Sequence, residues 1–259
     1  MALGDFDRAD VTYDGVTYPV FQGGRGPAVV VMHEIPNLHP GVIAFGERVV
    51  AAGFTVYMPS LFGTPGAPVT VGTNLRSMLR ACVSREFATW ATGKTSPITV
   101  WLRALARDAH AACGGPGVGA LGMCLTGGFA LAMMVDDTVV APVLSQPSVP
   151  FPLLPSERRD LGISPDDLAV VRRRAADGTC VMGLRFTGDG LVPAARFARL
   201  REELGDRFIA IEIDSSRGNP HGIPRRAHSV LAHDYVDTPG HPTRVALDQV
   251  LGFFRERLA

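Results

Sequence analysis

No charge of either sign prevails in this 259-residue chain, where 25 Lys and Arg offset 25 Asp and Glu. With no basic stripe and no polybasic run, neither nucleic acid nor an anionic membrane surface is expected as a partner. Nowhere do 18 apolar residues run together to span a bilayer. Residues 1–7 lack the basic and apolar regions of a secretory signal. The expectation is a soluble, cytoplasmic protein. Cysteine is scarce and scattered: Cys82, Cys113, Cys124 and Cys180 form no CxxC pair. That excludes the familiar zinc and redox motifs and points to free thiols, with Cys82, Cys113 and Cys180 as packing residues. Internal repeats and low-complexity tracts are also missing. What the chain does have is apolar residues, 46% of the total, enough for a large core in a single α/β domain over residues 1–259.

Strands and helices alternate along most of that length. Residues 11–13 and 16–20 flank Asp14-Gly15, a hairpin signal. Residues 27–32 form a continuous apolar run, as a buried parallel strand does. A helix is expected over 42–52, stopping at Gly53, then a strand over 54–59. Further strands are expected over 139–144, 181–186 and 208–213, with helices over 101–112, 194–203 and 244–258. Such alternation predicts a mostly parallel central sheet with helices on both faces. Residues 72–97 and 147–177 fit the pattern less well. The second stretch is expected to lay short helices over the C-terminal edge of the sheet, where such folds bind ligands.

The most informative residue is Cys124, in Gly122-Met123-Cys124-Leu125-Thr126-Gly127-Gly128. The run before it, 118–121, has the character of a short buried strand, and the residues from Phe129 on begin a helix. A nucleophile on a sharp strand-to-helix turn is held out toward substrate, and small neighbours let the backbone turn tightly. The helix N-terminus favours a thiolate, the reactive form of cysteine. This is the pattern of the nucleophile elbow of an α/β-hydrolase, with Cys in place of the usual Ser. Alone, it competes with a buried packing cysteine or a phosphate-binding turn.

An elbow nucleophile needs a base, and the base needs an orienting group. In α/β-hydrolase order the acid follows the nucleophile and the histidine comes last. Asp189, in Thr187-Gly188-Asp189-Gly190 after an apolar strand, is the candidate acid; its competing role is a turn former or helix cap. His228 lies between the last core strand and the C-terminal helix, the loop expected for the base. His221 and His233 are its neighbouring rivals, and His110 comes too early in the chain. The segment Met32-His33-Glu34-Ile35-Pro36 follows a buried strand, where an oxyanion-hole loop belongs. The backbone N–H groups of Ile35 and Leu125 are the candidate oxyanion donors.

Together these segments resemble the dienelactone hydrolase family, a Cys-nucleophile branch of the α/β-hydrolases. The resemblance rests on His33-Glu34-Ile35, Ala51-Ala52-Gly53-Phe54 through Pro59-Ser60-Leu61-Phe62-Gly63, Gly122-Met123-Cys124-Leu125, Gly188-Asp189 with Val192-Pro193, and Ala227-His228-Ser229. It implies a Cys124–His228–Asp189 triad, a carboxymethylenebutenolidase-type ester or lactone hydrolase, and a Glu34 carboxylate that contacts the resting thiol until substrate displaces it. Arg85 is the loosely aligned counterpart of a substrate-binding arginine. The stretch Ser229-Val230-Leu231-Ala232-His233 carries no arginine where the family has another, and Thr126 stands where the family usually has Gly. No metal or organic cofactor is expected, and the partner is a small-molecule ester or lactone. The chain is read as a monomer or small homo-oligomer. The alternatives are a thioesterase or general carboxylesterase on the same scaffold, and a binding protein that keeps the fold without the chemistry.

Overall fold

A computed structural model describes residues 3–70, 95–149 and 157–259. Its centre is an eight-stranded sheet: β1 (Asp7–Tyr13), β2 (Val16–Gly24), β3 (Ala28–Met32), β4 (Thr55–Pro59), β5 (Val118–Met123), β6 (Val139–Ser145), β7 (Val181–Phe186) and β8 (Phe208–Ile213). The spatial order is β1-β2-β4-β3-β5-β6-β7-β8. The hairpin β1–β2 and the β2–β4 pair are antiparallel, and every other pair is parallel. Asp14 and Gly15 both take positive φ in the hairpin turn, as a two-residue connection of this kind requires. The hairpin is longer than its apolar alternation indicates, because the charged residues at the start of β1 pair with β2 while facing solvent.

Among the described residues, six helices flank the sheet: α1 (Pro40–Ala51), α2 (Pro97–Cys113), α3 (Gly127–Met133), α4 (Pro165–Ala176), α5 (Ala194–Leu204) and α6 (Pro242–Leu258). Alternate residues of β3 enter opposite layers, as the period of a strand dictates. Ala28, Val30 and Met32 pack with α2, α3, α4 and α5, and Val29 and Val31 pack with α1 and α6. Burial on both faces is why β3 is apolar throughout. Helices α1, α2 and α6 start two to four residues before the apolar periodicity does, each with Pro at its first turn. Proline loses nothing there because that N–H has no helical partner. Where short helices were expected over residues 147–177, α4 is a full twelve-residue helix in the α2–α5 layer. Ser164 caps it by accepting from the Asp167 N–H at 3.1 Å.

The order β4-β3-β5 positions the site. The chain leaves β3 for β4 on one side and continues through β5 on the other, so the loops after β3 and β5 diverge and leave a crevice between them. Met32 and Gly122 are paired at that edge, which sets the Glu34 loop beside the Cys124 turn.

Candidate active site

Cys124 lies just beyond β5 with φ of 57°, a left-handed conformation that costs a non-glycine residue about 1–3 kcal/mol and persists only where its surroundings impose it. Two neighbours impose it here. A Cβ on Gly122 would lie 2.0 Å from the Thr126 carbonyl oxygen, so only glycine lets the turn close this tightly. Thr126 is fully buried, and its hydroxyl accepts from the Met123 N–H at 2.8 Å while its own proton is within reach of the Met32, Met123 and His33 carbonyls. Thr126 therefore ties the turn to the end of β3, a function glycine could not perform.

Cys124 is 8% exposed. Its sulfur is 3.1 Å from the Ser148 hydroxyl, and its carbonyl accepts from the Ser148 N–H at 3.0 Å. Asp189 is buried after β7, where Oδ1 accepts from the Leu191 N–H at 2.9 Å. Its other oxygen, Oδ2, accepts from His228 Nδ1 at 2.6 Å. The opposite ring nitrogen, Nε2, is buried and makes no well-aligned hydrogen bond among the described residues. Burial disfavours the charged imidazole, but the Cys124 sulfur and the Asp189 carboxylate outweigh it and hold the His228 pKa well above the usual histidine value. The two rivals lie elsewhere. His221 is exposed with its ring against His241, and His233 is exposed with its N–H on the Ser229 hydroxyl.

Glu34 does not touch the thiol among the described residues, contrary to the expectation from resemblance. Its carboxylate is occupied by three other donors: His39 Nε2 at 2.9 Å, the Ser229 hydroxyl at 2.6 Å and Gln146 Nε2 at 2.8 Å. The Gly41 N–H bonds to His39 Nδ1, which leaves Nε2 as the protonated nitrogen. Burial pushes the Glu34 pKa up, yet His39, His228 and Ser229 together bring it below the ordinary value. Ile35 and Leu125 flank this cluster. Neither backbone N–H donates a hydrogen bond among the described residues. Arg85 lies outside the described residues.

Three further buried polar side chains hold the loops around the site. His33 is fully buried and tethers the loop after β3: Nδ1 donates to the Glu34 carbonyl at 2.9 Å, and Nε2 accepts from the Leu61 N–H at 3.1 Å. Gln146, just past β6 with φ of 36°, joins Glu34 to the Val230 N–H of the His228 loop. Arg196, on α5, is 1% exposed and donates to the carbonyls of Pro147, Leu191, Asp160 and Glu157. Burial lowers its pKa to about 10, so it keeps its charge at neutral pH. Among the described residues, no group of three or more His, Cys, Asp or Glu is arranged to hold a metal ion, and no helix is long and apolar enough to cross a membrane.

The profile of the dienelactone hydrolase family matches residues 15–257. No curated protein matches the chain in sequence. Solved structures share the fold at low identity. A Klebsiella pneumoniae protein assigned as a dienelactone hydrolase superposes with a TM-score of 0.66 and 16% identity, covering 97% of this chain and 98% of its own. The dienelactone hydrolase of Anabaena variabilis gives 0.61 and 16%, over 98% and 100% of the two chains. A dienelactone hydrolase-like promiscuous phosphotriesterase from metagenomic libraries gives 0.62 and 16%, over 98% of each.

Proposed function

We propose, for a chain that belongs to the dienelactone hydrolase family, that Cys124, His228 and Asp189 form a triad hydrolysing a small ester or lactone through a thioester. The family makes the chain a hydrolase; the triad and the substrate class are our reading. The observation that supports it most is geometric: His228 bonds Asp189 through Nδ1 at 2.6 Å, and Cys124 stands on the left-handed turn after β5. The Cys124 sulfur and the Asp189 carboxylate both favour the protonated imidazole, and an imidazolium beside a cysteine favours the thiolate, the form that attacks.

The thiolate attacks the ester carbonyl, forming a C–S bond as the C=O π pair moves onto oxygen. The Ile35 and Leu125 N–H groups are the donors available to that oxyanion. As the tetrahedral species collapses, the C–O bond to the leaving group breaks and the departing oxygen takes the proton from His228. Neutral His228 then removes a proton from water as it attacks the thioester. The C–S bond breaks, the acid product leaves, and thiolate and imidazolium are restored. Asp189 fixes the tautomer throughout. An enol ester or lactone suits a sulfur nucleophile better than an amide, because a thiolate is expelled from the tetrahedral species more readily than a strongly basic amine. The protein is read as a single domain acting without a cofactor on a small neutral or activated ester, as a carboxymethylenebutenolidase or a close esterase relative.

The test is hydrolysis of a short-chain p-nitrophenyl ester by the wild type and by Cys124→Ala, His228→Ala and Asp189→Asn, with dienelactone run beside it. We expect kcat/KM to fall about 10³-fold or more in each variant. Wild-type rates in a folded Cys124→Ala protein would refute the assignment. The dienelactone rate relative to the simple ester separates the carboxymethylenebutenolidase reading from that of a general esterase.

A further inference from the structure

The geometry points to Ser148 as a fourth catalytic residue, whose hydroxyl donates to the Cys124 sulfur whenever that sulfur carries negative charge. This rests on the proposal that Cys124 is the nucleophile. The Ser148 oxygen is 3.1 Å from Sγ, and the side chain is 4% exposed. Among the described residues, the hydroxyl has no other hydrogen-bond partner. A buried hydroxyl strongly prefers a partner, so its proton is directed at the sulfur when sulfur is anionic. When sulfur is a thiol the same oxygen can rotate to accept, since a hydroxyl both donates and accepts.

The spacing is held from several sides. The Ser148 N–H bonds the Cys124 carbonyl at 3.0 Å. Pro147, one residue earlier, packs so closely on the elbow that a Cβ on Gly127 would lie 2.7 Å from it. Arg196 holds the Pro147 carbonyl at 2.9 Å. Two residues back, Gln146 bonds Glu34 and the loop carrying His228. The polar end of β6 is thus a brace across the site, and Ser148 is the position on it that reaches the reacting atom.

The consequence differs between the two half-reactions. Donation to a thiolate favours the free sulfur anion over the thioester, because a thioester sulfur is a much weaker acceptor. Acylation therefore gives up this bond as the C–S bond forms. Deacylation regains it as the C–S bond breaks and the electron pair returns to sulfur. Ser148 accordingly assists breakdown of the acyl-enzyme, while also enlarging the thiolate fraction that starts the cycle.

Two measurements on the full chain test this. The first is the pH dependence of iodoacetamide alkylation, read by mass spectrometry on the Cys124 peptide, which needs no substrate turnover. A charge-assisted hydrogen bond is worth roughly tenfold to hundredfold, so Ser148→Ala should move the alkylation midpoint up by about one to two pH units. The second is pre-steady-state hydrolysis of p-nitrophenyl acetate. The Ala variant should show a larger burst of nitrophenol, with kcat and KM lowered together by about tenfold, because acyl-enzyme accumulates. Ser148→Thr should restore both properties, and Ser148→Val, with the shape of Thr but no hydroxyl, should not. The Thr–Val pair decides the question if the Ala variant fails to fold. An unchanged midpoint together with an unchanged burst in a folded variant lacking the hydroxyl would overturn the role. Failure of the parent reading looks different: Cys124→Ala would retain hydrolysis, while the alkylation profile would still report on the Ser148 bond.

Discussion

His33 shows how one buried side chain holds a loop at the site and makes its stability depend on pH. Burial pushes its pKa down to about 4, because a charged imidazole is poorly solvated inside the sheet edge. The unfolded chain, with an ordinary histidine pKa of about 6.5, takes up that proton first, so stability falls as pH drops from about 6.5 toward 4. From pH 7 to 4.5 the loss from this residue is on the order of 2 kcal/mol. Urea denaturation at the two pH values should show it, and His33→Gln should lose most of the difference; an equal slope in both proteins would contradict the assignment. His228 has the opposite sign. Its raised pKa contributes stability that is complete below about 6.5 and disappears as pH rises through the folded value. Residue by residue, the sequence marked the segments carrying Cys124, Asp189 and His228, because an elbow, a strand end and a late loop are local patterns. It did not mark Ser148 or Gln146, whose partners lie 24 and 112 residues away. Nor did it show that Glu34 is occupied by Ser229, His39 and Gln146, since a carboxyl next to an expected nucleophile says nothing about rival donors.

Among the elements, the β5–α3 elbow and α5 do most to shape the site. Gly122→Ala would force the turn apart at the Thr126 carbonyl, and we expect it to cost about 3 kcal/mol or more, with activity lost in step. Thr126→Val keeps the shape but strands the Met123 N–H, and should cost about 1–3 kcal/mol. A urea titration that found both variants as stable as the wild type would show that the elbow is not under this constraint. Arg196 on α5 holds the Pro147 and Leu191 carbonyls and so links the Ser148 segment to the Asp189 loop. Arg196→Met removes four hydrogen bonds at once, and we expect about 3 kcal/mol of lost stability with hydrolysis slowed about tenfold. Arg196→Lys should rescue poorly, because a single ammonium cannot reach carbonyls spread around a planar fork. A melting curve and a rate for each variant check this. Arg196 shares the buried stripe of α5 with Phe197, Leu200 and Leu204, and an arginine at that spacing was the readable sign of a buried structural cation. Helix α4 had its start signal in Ser164-Pro165, but its charged residues, two Asp and three Arg in twelve, diluted the stripe of Leu168, Val171 and Ala175.

For the molecule as a whole, the alternating segments predicted a mostly parallel sheet covered on both faces, and that is the observed architecture. The order of strands was not readable, because apolar strands such as β3, β5 and β6 do not encode their neighbours. That order nonetheless creates the site: the divergence of the chain between β3 and β5 brings Glu34, Cys124 and, from farther strands, Ser148, Asp189 and His228 to one edge. Acylation of Cys124 has a direct readout. Acid quenching during turnover of p-nitrophenyl acetate, followed by peptide mass spectrometry, should find one acetyl group on the Cys124 peptide of the wild type. No adduct and no turnover should be found in Cys124→Ala. Steady turnover with no acetyl group on Cys124, persisting in the Ala variant, would rule out Cys124 as the nucleophile.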